Sequence, residues 1–195
     1  MTPSRRMVIA AACASACPGR AWAAAESATP DSSASSGPVE IELSELLPGQ
    51  LRLAAWKGKP IWLLKRTPEM TRSLDSAALL ARLVDANANA TPDSAGREPA
   101  YARNPQRSIR PDLFVGIALC PHAGCIPVAR LKAGPRADDP ENWPGGFACQ
   151  CHFATFDLAG RVFKDKPTPL NIEVPRHMYL SDTRIIIGRD LDGEA

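Results

Sequence analysis

The sequence predicts an all-β protein built on a base of antiparallel strands, and three observations lead there. Nineteen prolines and 13 glycines in 195 residues cut the chain into short segments, which favours turns and brief strands over long helices. Val39 to Leu43 alternates apolar and charged residues with the two-residue period of a half-buried strand. One run, Leu113 to Leu119, is apolar throughout. It is too short to cross a membrane and about right for a strand buried on both faces.

The chain opens with Arg5-Arg6, then a weakly apolar stretch from Val8 to Cys17, then Ala21-Trp22-Ala23-Ala24-Ala25. Residues 1–25 are expected to be a twin-arginine-like export signal or a membrane anchor. As a span the segment is marginal, because a crossing helix needs about 20 apolar residues and Pro18 and Arg20 interrupt this one. Residues 26–38, ESATPDSSASSGP, hold too little apolar surface to fold. They are expected to form a flexible hinge linker that reaches about 40 Å when extended.

Val39 to Leu43 alternates apolar and charged residues and is a predicted strand. After the turn Leu47 to Gln50, Leu51–Trp56 and Pro60–Lys65 form two further strands around Lys57-Gly58-Lys59. Thr67-Pro68-Glu69 starts the one expected helix, with proline at the first helical position and a carboxylate in the first turn. Leu79, Leu80, Leu83 and Val84 keep its spacing, and Asn87 to Arg110 reads as irregular and polar. The Leu113–Leu119 strand then delivers Cys120 to the edge of a sheet. Ile172–Val174 and Arg184–Gly188 are the last predicted strands. His177 is expected at the surface, and Trp22, Trp56, Trp62 and Trp143 are expected to be packing or interface residues.

A formal net charge of +2, with no dense Lys/Arg stripe, excludes a nucleic-acid binder. Of six cysteines, Cys13 and Cys17 lie in the leader. The other four fall in two boxes, Cys120-Pro-His122-Ala-Gly124-Cys125 and Cys149-Gln-Cys151-His152. Each box offers a Cys–His pair and one additional cysteine. Thiolate and imidazole suit either zinc or an iron–sulfur cluster. A tetrahedral Cys₂His₂ zinc site would leave two cysteines without a role, whereas a 2Fe–2S centre with two cysteines on one iron and two histidines on the other uses the same donors.

These boxes resemble those of Rieske proteins, C-T-H-L-G-C and C-P-C-H-G-S. The likeness extends to Gly58-Lys-Pro-Ile-Trp62, Thr67-Pro-Glu-Met70, Trp143-Pro-Gly-Gly-Phe147, Phe156-Asp-Leu-Ala-Gly-Arg161 and Pro167-Thr-Pro-Leu-Asn-Ile-Glu-Val-Pro175. Over roughly residues 38–190 the chain is similar to the Rieske subunit of bacterial quinol–cytochrome c reductases. The resemblance implies a Rieske-type β-sandwich base over residues 39–191, with a cluster-binding subdomain inserted at about 118–172. It implies one 2Fe–2S cluster held by Cys120, His122, Cys149 and His152, and a disulfide between Cys125 and Cys151. It further implies that Lys166-Pro167-Thr168-Pro169 covers the cluster from a third side.

The implied function is electron transfer from ubiquinol to a c-type cytochrome, beside cytochrome b. His152 would contact the quinol and accept its proton. The implied place is the bacterial inner membrane, with the head on the periplasmic side. Departures from the family pattern are Pro121 for Thr, Ala123 for Leu, and Phe153-Ala154 for Gly-Ser. Phe156 stands where many members carry Tyr. The family's Ser and Tyr hydroxyls donate hydrogen bonds to cluster sulfur, so their loss implies a less oxidising cluster. Three other functions stay open at this stage: the exported Rieske small subunit of a periplasmic oxidase of the arsenite-oxidase kind, a Rieske ferredoxin, and a zinc-binding module.

Overall fold

Alternation along two strands organises the whole molecule. In the computed structural model, which describes residues 37–88, 98–132, 140 and 143–194, strand β2 (Leu51–Trp56) pairs antiparallel with β3 (Lys59–Lys65). Lys57 and Gly58 turn the hairpin with φ of 48° and 70°, as a two-residue loop between twisted strands requires. Strand β4 (Leu113–Ile117) pairs with the other edge of β3. Ile61, Leu63, Leu113, Val115 and Ile117 enter one core, while Trp62, Leu64 and Phe114 enter a second. Successive side chains point to opposite faces of a strand, so this sheet is covered on both sides.

The first core is closed by a second sheet, in which β1 (Val39–Glu42) and β8 (His177–Tyr179) flank β9 (Arg184–Ile187). Ile41, Ile185 and Ile187 meet the middle sheet there. The second core is closed by a third sheet, β5 (Val128–Arg130), β6 (Gly146–Ala148) and β7 (Thr155–Asp157), ordered β5-β6-β7. Phe147 stacks on Trp62 with ring centroids 4.1 Å apart and also contacts Phe114. Two short strands, β10 (Arg189–Asp190) and β11 (Gly193–Glu194), form a terminal hairpin. The class is all-β, as expected. Residues 1–25 and most of the 26–38 linker lie outside the described residues. Among the described residues no helix is long and apolar enough to cross a membrane.

Three expectations are corrected. The helix starts as predicted, with Thr67 Oγ1 accepting from the Met70 amide at 3.2 Å, but it ends at Ser73, giving α1 (Pro68–Ser73). A separate turn of helix, α2 (Ala77–Leu80), follows. Leu83 then leaves helical geometry because it bridges to Phe163, and the Val84 amide donates to Val162 O. Ile172–Val174 is not a strand. Its bonds go to different places, Ile172 N to Gly160 O and Ile117 N to Glu173 O, so no ladder forms. His177 is not at the surface but 1% exposed in β8, with Tyr101 packed edge-on against its ring.

The stretch that reads as irregular and polar hides an anchor. Arg107 is buried against Glu98, and its guanidinium donates to the carbonyls of Ala159 and Gly160. Beside it Asp157 and Arg161 form a second ion pair, fully buried, with Nε to Oδ2 at 2.7 Å. Asp157 Oδ1 also accepts from the amides of Ala159 and Arg161. Arg161 donates to the carbonyls of Ala86 and Leu74. The turn following β7 is therefore pinned to the segment that follows α1 and α2.

Candidate metal centre

The two boxes fold as the same loop. In the first, the Cys120 amide donates to Cys125 O at 2.7 Å and the Gly124 amide donates back to Cys120 O at 2.8 Å. In the second, the Cys149 amide donates to Ala154 O at 2.8 Å and the Phe153 amide donates back to Cys149 O at 3.0 Å. Each loop thus opens on a cysteine, and its fifth residue lies in the left-handed region, Gly124 at φ 73° and Phe153 at φ 61°. That conformation is free for glycine and costly for a bulky residue. Phe153, standing where the resembling sequences have glycine, carries that strain and holds its ring 70% exposed.

The equivalence of the loops places the donors in layers. Cys120 and Cys149 are free thiols and buried. His122 and His152 are exposed, and their rings meet edge to face with centroids 4.6 Å apart. Cys125 and Cys151 are joined in a disulfide that ties one loop to the other. The structure brings all six box residues together. The Sγ atoms of Cys125, Cys149 and Cys151 lie within 4.8 Å of one another. The two disulfide sulfurs offer no thiolate, which leaves two thiols and two imidazoles as donors.

Burial raises the pKa of the Cys120 thiol, and the neighbouring Cys149 thiol adds to the rise, while the backbone amides of His122 and Ala123 oppose it. Amides aimed at a buried sulfur suit a thiolate bound to a cation, because they satisfy its lone pairs where water is excluded. The donor chemistry fits a cluster with one all-sulfur iron and one imidazole-bound iron. Beneath the second box, Trp143 Nε1 donates to Phe156 O, which fixes β7 behind Cys149. Lys166, the first residue of the expected cover loop, lines a cleft with Cys149, Gln150 and Phe153.

A model of the Rieske [2Fe-2S] domain matches residues 97–193. The chain is 45% identical over 157 residues to the ubiquinol-cytochrome c reductase iron-sulfur subunit of Allochromatium vinosum, covering 80% of this chain and 72% of that one. This chain belongs to the Rieske iron–sulfur family. The corresponding subunit of Bradyrhizobium diazoefficiens is 32% identical over 192 residues, covering 95% of each chain. That of Blastochloris viridis is 34% identical over 170 residues, covering 86% and 81%. The cofactor of this Rieske chain is one 2Fe–2S cluster. Asp157 and Arg161 lie in the Phe156–Arg161 stretch that resembles Rieske proteins, an acid and a base either side of a tight turn, whereas nothing in the sequence marks Glu98 and Arg107 as a buried pair.

Proposed function

We propose that this Rieske chain is the iron–sulfur subunit of a quinol–cytochrome c reductase, taking one electron from ubiquinol and passing it to a c-type cytochrome. The observation that carries the reading is the layering of the site: two buried thiols beneath two exposed imidazoles at one tip. Cys120 and Cys149 would hold one iron, and His122 and His152 the other. When bound, the cluster supplies a one-electron acceptor. With His152 as an iron ligand, its other ring nitrogen would accept a hydrogen bond from the quinol hydroxyl and then its proton. Exposure lets that proton pass on to water. Burial keeps water from the two sulfurs, and the Cys125–Cys151 bridge holds the two loops at fixed separation.

The head over residues 39–191 would work beside cytochrome b, carried by the 26–38 hinge and the 1–25 signal or anchor, on the periplasmic side of the inner membrane. The test is an EPR-monitored redox titration of the full chain. Rieske centres span about −150 to +300 mV. A Rieske spectrum with a midpoint in the upper part of that range supports quinol oxidation. A midpoint near or below zero would redirect the chain to the periplasmic-oxidase reading, which the Cys-His-Phe order of the second box favours. Absence of the spectrum in iron-replete protein would overturn the ligand assignment.

The same titration reads a second expectation. Ala154 is fully buried, and its carbonyl closes the second box loop. Ala154→Ser restores the hydroxyl that the resembling sequences carry here, and a donor to sulfur would stabilise the more negative, reduced cluster. A hydrogen bond to a charged group is worth about 1.5–3 kcal/mol, and 1.4 kcal/mol is about 59 mV for one electron. The midpoint should rise by tens of millivolts, up to roughly 100 mV. An unchanged or lower midpoint would show that position 154 does not set the potential.

A further inference from the structure

Four sulfurs of this chain lie in one contiguous group, in two chemical states. Cys120 and Cys149 are thiols and neighbours. Cys125 and Cys151 are a disulfide, and the Cys149 sulfur lies within 4.8 Å of both of its atoms. A thiolate attacks a disulfide sulfur directly, so a thiol held this close is an intramolecular reactant that needs no external oxidant.

We propose that the chain without its cluster exchanges its disulfide, Cys149 attacking Cys125 and releasing Cys151. The bond formed is Cys125–Cys149 and the bond broken is Cys125–Cys151. Cys149 is oxidised and Cys151 is reduced, so electrons balance within the chain. The proton Cys149 gives up is taken by the departing Cys151 thiolate. Three observations choose this direction. Cys151 is exposed, so the leaving thiolate departs into water, whereas Cys125 is half-buried. Attack on Cys151 instead would close a ring across one intervening residue, Gln150. The bridge spans two separate loops, one turned by Gly124 and the other by Phe153 in the left-handed region, so a shift of partner from Cys151 to Cys149 stays within the second loop.

The consequence is a gate on cofactor loading. The exchanged chain has lost the Cys149 thiol to the bridge and shows a reactive thiol at its surface in return. Iron on Cys149 removes the attacking lone pair, so the loaded chain keeps the Cys125–Cys151 bridge. This part rests on the ligand assignment above. Disulfide and cluster therefore protect each other: the bridge leaves Cys149 free for iron, and iron leaves the bridge intact.

The test uses the full chain, once loaded with its cluster and once stripped of iron by an anaerobic chelator. Both are incubated at one pH, quenched with iodoacetamide, and the alkylated cysteines are located by fragmentation sequencing, which also separates Cys13 and Cys17 from the four box cysteines. In the stripped chain, label at Cys151 should rise with time while label at Cys149 falls by the same share, with total thiol constant. The Cys149→Ser variant should show no label at Cys151. A stripped chain that, among the four box cysteines, keeps label on Cys120 and Cys149 alone overturns the exchange. Label on Cys151 that appears equally fast in the Cys149→Ser variant overturns it too, since the bridge is then opened by something else. Equal exchange in the loaded chain, with exchange in the stripped one, supports the reactivity and instead removes Cys149 from the iron.

Discussion

Replacing Arg161 with methionine is expected to destabilise the protein by about 3–5 kcal/mol, the cost of leaving one partner of a buried ion pair alone. Arg161 and Asp157 have no exposed side-chain surface, and their contact is 2.7 Å. Methionine fills the volume but takes the Asp157 carboxylate's ion-pair partner from a dry site, leaving it the two amides of its own turn and the electrostatic pull of Arg66 and Arg107. The carbonyls of Ala86 and Leu74 lose their donors at the same time. For a chain of this size, 1 kcal/mol shifts the unfolding midpoint by about 2–4 °C, so the drop should be roughly 6–20 °C. Circular dichroism on heating measures it. Glu69→Ala is the control, because its pair with Arg72 is exposed on both sides and exposed pairs contribute little to stability. A drop for Arg161→Met no larger than the control would refute the anchor. The effect reaches the site because the Asp157–Arg161 turn ends β7, which begins one residue after Ala154, the carbonyl that closes the second box.

How much of this was legible before the structure depends on the range of the interaction. The boxes were legible because iron–sulfur ligands must be specific residue types at fixed short spacing, and both boxes satisfy that locally. The strands β2 and β3 were legible from the turn Lys57-Gly58-Lys59 between two apolar-rich segments, and β4 from the apolar run at Leu113–Leu119, since burial on both faces leaves no polar position. The helix start at Thr67-Pro68-Glu69 was legible because capping is local, and the end was not, because Leu83 answers to Phe163, some 80 residues on. The buried charges were hidden for the same reason. Glu98 and Arg107 look like solvated residues in a polar stretch until Ala159 and Gly160 arrive from another part of the chain. The likeness of the two box loops was hidden because Gly124 and Phe153 share a backbone conformation but no chemistry. His177 was misplaced because histidine alone says nothing of what packs on it.

That misplaced histidine makes stability depend on pH. Burial pushes its pKa down to about 4 from an ordinary 6.5, against a smaller upward pull from the Pro175 carbonyl and from Asp190. Nδ1 faces Pro175 O at 2.8 Å. A carbonyl only accepts, so Nδ1 carries the proton and the neutral ring has no second proton to offer. Tyr101 closes the other side, its ring edge-on at 5.2 Å and its hydroxyl oxygen accepting from the His177 amide. Asp190 is itself paired with Arg176, which leaves little charge to stabilise an imidazolium. Between pH 6.5 and about 4 the unfolded chain therefore takes up a proton that the folded chain refuses. The stability from this site is complete above pH 6.5 and falls as pH drops toward 4, by about 3 kcal/mol in all. His177→Asn keeps a donor for Pro175 O and cannot titrate. Denaturant midpoints read by tryptophan fluorescence should decline more steeply with acid between pH 6.5 and 4 in the parent chain than in the variant. Parallel curves would mean that His177 titrates alike in the folded and unfolded states, and that the clasp between β8 and Tyr101 is indifferent to protons.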